Sequence, residues 1–421
     1  MTALTAIAQP SAAHPGSPAR RAAFIPYGQY WSTPFARWQG SLAHLHSLEF
    51  AAWNAGREMT RRGLLGLPID SGVLGMSIPQ QGSFYGLPWA TGLMGLESVA
   101  GPTISQACAT SARCLSIAAD EVTGGRADCV LLLTADRVSN GPQLYYPNPQ
   151  GPGGSGSQEN WVLDNFRADP FARVAMVETG ENVARLYGIS TAEQNEVTLM
   201  RYEQYAAATA NDHAFQKRYM SLPFEIPDAK FKKIKGSLTG DEGLHSTTAA
   251  GLVALHPVIE GGTITYGGQT HPADGNAAMF VCSQALARSV STRPEIRIEI
   301  LGVGQARTQK AHMPMAPVPA SRAALKNAGL TMRDITHVKM HNPFVVNDIV
   351  FARDMAFPVE KINQYGCSLV WGHPQGPTGL RSLIELIEQM VLQGGGIGLF
   401  TGCAAGDSAM TAIIRVDDAS A

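Results

Sequence analysis

The sequence lacks any apolar run approaching the roughly 18 residues that would suggest a membrane span, so no membrane partner is expected. It is also poor in charge. Only 16% of residues are charged, the formal net charge is −2, and no long basic run interrupts the balance, which excludes nucleic acid as an expected partner. Six cysteines, widely spread and without CxxC spacing, fit neither a disulfide framework nor a zinc site. They suit a reducing compartment, and the expected location is cytoplasmic. The glycine-rich segment 261–270 contains neither a Walker pattern nor GxGxxG, and the histidines show no metal-ligand spacing, so no tightly bound cofactor or metal is expected. The first 20 residues lack the apolar core of a secretory signal and read as a disordered tail, residues 1–21. The first acidic residue is Glu49, a feature compatible with an organelle leader.

What the sequence has is apolar bulk, 45% of 421 residues, enough for two or three packing units and a sizeable core. A local grammar occurs twice. Residues 111–122 carry apolar side chains at helical spacing, then come Gly124-Gly125 and the β-rich run from Cys129 to Ala135. Residues 378–392 repeat the helix, followed by Gly394 to Gly396 and the run from Ile397 to Thr401. A second pair also matches. Helix 49–62 leads to strand 72–78, and helix 321–328 leads to strand 335–340. Two βαβ-type units in similar order predict a pseudo-symmetric α/β protein. Its first half is residues 22–142 with 251–290, and its second is 291–421. Residues 143–250, with a Pro/Gly/Ser run at 147–156 and a lysine cluster at 230–235, read as a loop domain inserted into the first half.

Three residues far apart share one context, a buried strand giving way to a small-residue turn. They are Cys108 in SQACATSA (105–112), His373 in GHPQG (372–376) and Cys403 in GCAAG (402–406). A cysteine at a helix N-terminus has its thiolate favoured by the dipole and by free N–H groups, whereas most free cysteines simply pack. A histidine held between Gly372 and Pro374 can take a proton from a thiol or donate to an oxyanion, with structural capping as the plainer alternative. His341 and Asn342, side by side at a strand end, could both present donors. Cys114, Cys129, Cys282 and Cys367 lack such a setting and read as packing.

In order and spacing these segments resemble those of the thiolases, which form or cleave 3-oxoacyl-CoA, over residues 23–417. Residues 32–42 resemble the family's opening RTPFGxxxGSL, residues 178–190 its insertion helix, and residues 262–278 its GTVTAGNASGxNDGAAA stretch. The resemblance implies the thiolase fold, two βαβαβαββ halves in a layered αβαβα sandwich, and coenzyme A or acyl-CoA as substrate. By position, it makes Cys108 the acyl carrier, His373 its activator and Cys403 the acid/base at carbon. The backbone N–H groups of Cys108 and Ala405 would form an oxyanion hole. Thr270, Lys233, Lys235 and Phe344 would meet CoA or substrate.

The departures are specific. His341-Asn-Pro-Phe344 stands where most members read NEAF, somewhat like the HDCF of sterol-carrier-protein-linked thiolases, so either His341 or Asn342 would serve the oxyanion hole. Ala405 replaces a glycine, and Tyr266 an alanine. The expected assembly is a homodimer or tetramer, and a small OB-fold partner is known for some HDCF-like members. Two other functions fit the same residues. One is a decarboxylating ketosynthase using Cys108, His341 and His373, against which Cys403 and Pro374 argue. The other is a non-catalytic subunit that binds acyl-CoA.

Overall fold

The computed structural model describes residues 21–419. The expected tail at 1–21 therefore lies outside the described residues, apart from Arg21. The strands hydrogen-bond along one 11-stranded mixed sheet. Its main path runs His337–His341, Gly396–Ala404, Ser408–Asp418, Ile296–Arg307, Ala23–Phe24, Ala273–Cys282, Cys129–Arg137, Ser71–Gly75, Thr103–Ile104. The two halves repeat one pairing pattern. In the first, Ser71–Gly75 runs parallel to Cys129–Arg137, which is antiparallel to Ala273–Cys282. In the second, His337–His341 runs parallel to Gly396–Ala404, which is antiparallel to Ser408–Asp418. The short strand Ala23–Phe24 pairs with Cys282 on one side and with Glu299 and Ile300 on the other, joining the halves.

Side-chain alternation along these strands sets the layers. Successive residues of a strand point to opposite faces, so a strand buried on both faces reads as a continuous apolar run. Along Cys129–Arg137, Val130 and Leu132 enter one core with the helices Thr110–Thr123 and Gly376–Leu392. Leu131, Leu133 and Ala135 enter a second core with the outer helix Ser47–Arg61. In the second half, Phe400 and Ala404 face the central helices, while Leu399 and Cys403 face a core shared with Val346–Met355. The order is helix, sheet, helix pair, sheet, helix. Gly376–Leu392 is buried almost all round, as a central helix must be, and its charged residues are therefore paired. Arg381 makes a bidentate contact with Asp241 at 2.5 and 2.7 Å, and Glu388 accepts from Tyr30 at 2.6 Å.

The equivalent sheet strands of the two halves are joined very differently. Between Gly396–Ala404 and Ser408–Asp418 lies a tight turn, whereas residues 138–272 lie between Cys129–Arg137 and Ala273–Cys282. This segment holds the expected helix at Met176–Tyr187 and a longer one, Thr191–His213, that the sequence reading did not anticipate. It packs on the other half. Arg201 and Asp348, both fully buried, pair at 2.8 Å, and Tyr187 donates to Asp354 at 2.7 Å.

Candidate active site

Parallel pairing of His337–His341 with Gly396–Ala404 puts His341 opposite Gly402, so His341 and Cys403 emerge at the same sheet end. Cys108 arrives from the first half. It follows the strand Thr103–Ile104 and precedes the helix that starts at Thr110, with Ala107 held at φ +45°. A non-glycine residue in that region is costly, and such residues cluster where surrounding structure fixes a reactive group. Here Thr110 Oγ1 ties the loop, accepting from Gln106 N at 2.8 Å and donating to Ala107 O at 2.7 Å. His373 lies beyond Gly372, whose φ is +93°. A Cβ there would meet Ala273 Cβ and His271 Cε1 at 2.8 Å, so only glycine fits.

His373 Nε2 lies 3.1 Å from Cys108 Sγ, and His373 Nδ1 lies 2.6 Å from Thr378 Oγ1. In the tautomer that donates Nδ1–H to Thr378, Nε2 is free to accept from the thiol. The rings of His341 and His373 stack at 4.0 Å with 26° between planes. His341 Nδ1 bonds Ser368 Oγ at 2.8 Å, while its Nε2 is buried without a hydrogen-bond partner among the described residues. Asn342 is turned elsewhere. Its amide donates to Asp348 at 2.9 Å and accepts from Ser368 Oγ and Leu369 N at 3.1 Å. Cys403 is fully buried, with Asn347 Nδ2 at 3.3 Å from its sulfur.

The charges are those of a dry site. Burial pushes the Cys108 thiol up to about 12, although backbone N–H groups of Ala405 and Cys108 itself reach it and pull the other way. Burial and the nearby Cys108 push Cys403 up as well. Burial brings His373 down to about 3, and burial together with His373 holds His341 well below the usual range. The backbone N–H groups favour the thiolate, and desolvation is the larger effect on the resting thiol. Thiol and imidazole rest neutral, poised to exchange a proton only as charge develops on a substrate. Cys108 Sγ and the imidazole nitrogens of His341 and His373 come within 4.8 Å of one another. The near-parallel stacked rings aim their nitrogen lone pairs side by side rather than at one point, a poor arrangement for a metal.

The other expected residues are placed differently. Thr270 Oγ1 donates to Ser368 O at 2.5 Å, and Phe344 is buried in the core of the second half. Lys233 and Lys235 stand exposed at the ribbon formed by Phe224–Pro227 and Ile234–Leu238. Cys114, Cys129, Cys282 and Cys367 are all buried, as expected of packing residues. The sequence reading missed four residues that hold the site: Thr378, Asn347, Ser368 and Gln375. Gln375 Oε1 lies 3.3 Å from the Cys108 sulfur. Asp136, first in the stretch 136–142 that resembles the family's ESMSxxP, was given no role. That carboxylate accepts from Ser77 N and Oγ, Ile78 N and Gly376 N at 2.7–3.1 Å, binding the end of the first half's strand to the loop that carries His373. A polar residue directly after His373-Pro374 was the one signal in the sequence that could have pointed to Gln375.

Compared with known proteins, residues 30–285 match the family model of the thiolase N-terminal domain, and residues 295–416 that of the thiolase C-terminal domain. The chain belongs to the thiolase family. An acetyl-CoA acetyltransferase of Syntrophomonas wolfei is 27% identical over 401 residues, covering 91% of this thiolase and 96% of the relative. One from Escherichia coli is 28% identical over 325 residues, covering 76% and 80%. Among solved structures, human mitochondrial 3-ketoacyl-CoA thiolase superposes with a TM-score of 0.84 at 24% identity, covering 94% of this chain and 99% of that one, and it has also been solved in complex with CoA. The superposition bears out the expected thiolase fold.

Proposed function

We propose that this thiolase-type acyltransferase moves acyl groups between CoA thioesters through a thioester on Cys108, forming or cleaving a 3-oxoacyl-CoA in two half-reactions. The observation that carries the reading is the 3.1 Å contact between Cys108 Sγ and a neutral His373 whose far nitrogen is held by Thr378. In the first half-reaction the sulfur attacks the thioester carbon of an acyl-CoA. The bond from that carbon to CoA sulfur breaks, and the thiol proton passes through His373 to the departing CoA sulfur. Backbone N–H groups of Cys108 and Ala405, which already reach the sulfur, would hold the oxyanion.

In the condensing direction Cys403 takes a proton from the carbon next to the carbonyl of a second acyl-CoA. That carbon attacks the acyl-Cys108 carbonyl, the carbon–sulfur bond breaks, and the Cys108 thiolate takes the thiol proton that Cys403 gave up to His373 on accepting the carbon's proton. The enolate oxygen would be met by His341 Nε2 and His373. His341 serves here rather than Asn342, whose amide is already committed. His341 would donate from Nε2 once the Ser368 hydroxyl turns its one proton from Asn342 to Nδ1, the Asn342 oxygen keeping the Leu369 N–H. The inserted segment 143–250 would cover the CoA. Thr270 and Phe344 would shape the wall beside the thioester, and Lys233 and Lys235 would meet phosphates as point charges.

The close grouping of Cys108, His341 and His373 supports a second reading, decarboxylating condensation. It differs in releasing carbon dioxide from a malonyl thioester and in not needing Cys403. Intact-protein mass after incubation with a panel of acyl-CoAs tests the first reading. An acyl adduct is expected on wild type and Cys403→Ala and absent from Cys108→Ala. No adduct from any donor would favour a binding subunit, and turnover by Cys403→Ala with malonyl-CoA would favour the ketosynthase.

A further inference from the structure

Gln375 is the polar residue that the proposed chemistry does not use, although it touches the nucleophile. Its Oε1 is 3.3 Å from Cys108 Sγ, and the residue is 6% exposed. Its backbone sits at φ +65°, ψ −105°, a conformation side-chain-bearing residues rarely adopt and one that persists only where the surroundings impose it. The surroundings do so here. Asp136 accepts from Gly376 N at 2.8 Å, and Ser111 Oγ donates to Gly376 O. The amide is thus held against the sulfur by both halves of the protein.

The hydrogen-bond count is uneven. The Cys108 thiol carries one hydrogen and faces two acceptors, His373 Nε2 at 3.1 Å and Gln375 Oε1 at 3.3 Å. Once Cys108 carries an acyl group it has no hydrogen left, and His373, within reach of the amide but with its proton on Nδ1 toward Thr378, supplies none, so the buried amide oxygen then needs a new partner. A hydroxyl on the acyl chain, close to the thioester carbon, would supply one by donating to Oε1, whereas an alkyl chain leaves the amide oxygen unmet. Sites built around a buried hydrogen-bonding group discriminate against analogues lacking the matching atom.

We infer that Gln375 belongs to the acyl-binding site and sets its specificity, favouring acyl groups that carry a hydroxyl near the thioester over plain alkyl groups of the same length. The inference rests on the proposal that Cys108 is the acyl carrier. The test compares acylation rates of wild type with butanoyl-CoA and 3-hydroxybutanoyl-CoA, followed by intact mass, and repeats the pair in Gln375→Met and Gln375→Leu. Circular dichroism identifies a variant that fails to fold, and Gln375→Met, nearly the same size, is the more conservative change. The expected result is a wild-type preference of about tenfold or more for the oxygenated donor that collapses towards one in the variants. Equal rates in wild type, or a preference that survives both substitutions, would overturn the role of Gln375 while leaving Cys108 as carrier. Wild type that takes no acyl group from either these donors or the wider panel would overturn the carrier, and the role of Gln375 with it.

Discussion

Replacing Asp136 with asparagine tests whether one buried carboxylate aligns the two halves of the site. Oδ1 accepts from Ser77 N and Ile78 N, both at 2.9 Å. Oδ2 accepts from Ser77 N at 3.1 Å, Ser77 Oγ at 2.7 Å and Gly376 N at 2.8 Å. An asparagine has one acceptor oxygen. With that oxygen at the Oδ1 position its NH2 faces the Gly376 N–H, and with it at the Oδ2 position its NH2 faces the Ile78 N–H. Either way one buried donor is left unmet, at a cost of roughly 1–3 kcal/mol. For a chain of 421 residues, at ~2.1 cal/mol/K per residue, that lowers the melting temperature by roughly 1–4 °C. The effect on chemistry should be larger. Gly376 N anchors the loop holding His373 and Gln375, and a shift of about 1 Å there can cost on the order of 100-fold in rate. Thermal unfolding and the acylation time course by intact mass would be measured on the same preparation. A variant with wild-type melting and wild-type acylation would refute the clamp.

Burial raises Asp274 to about 6. The native state then holds more protons than the unfolded chain, so this contribution to stability is present below about 4 and is lost as pH rises through about 6. Urea midpoints measured from pH 4 to 7.5 should show that downward slope, and Asp274→Asn should flatten it; an unchanged slope would contradict the assignment. Thr378→Val removes the hydroxyl that orients His373 and should slow acylation about tenfold with little change in melting, as read by mass and calorimetry. Asn347→Ala removes the amide beside Cys403, so proton exchange at the α-carbon of acetyl-CoA, followed by NMR in deuterated buffer, should fall by about tenfold while Cys108 acylation persists. Arg201→Met leaves the buried Asp348 without its ion pair and should destabilise the fold by about 3–5 kcal/mol in urea titration.

Much of this protein was legible in one dimension. Helices 110–123 and 376–392 and the strands after them were visible because apolar spacing and glycine punctuation are local properties, and each was placed within a few residues. Cys108, His373 and Cys403 were visible because small-residue turns after buried strands mark sheet ends, and the family's motifs fixed their order. The helix Thr191–His213 was not visible, since it is largely polar and owes its place to contacts such as Arg201 with Asp348 on the other half. The choice between His341 and Asn342 could not be read either. Adjacent residues at a strand end point to opposite sides, and only the position of Ser368, Asp348 and His373 shows which side faces the thiol.

The sequence by itself determined the elements, their duplicated order and the types of reactive group, because these follow from composition and spacing along the chain. Tertiary structure alone decided which groups meet and in what charge state. Burial depends on every layer packed around the site, and it sets a neutral thiol beside a neutral imidazole. It also brought Gln375, Asn347 and Asp136 to the reacting groups from positions 56 to 267 residues away, a proximity that no local pattern encodes.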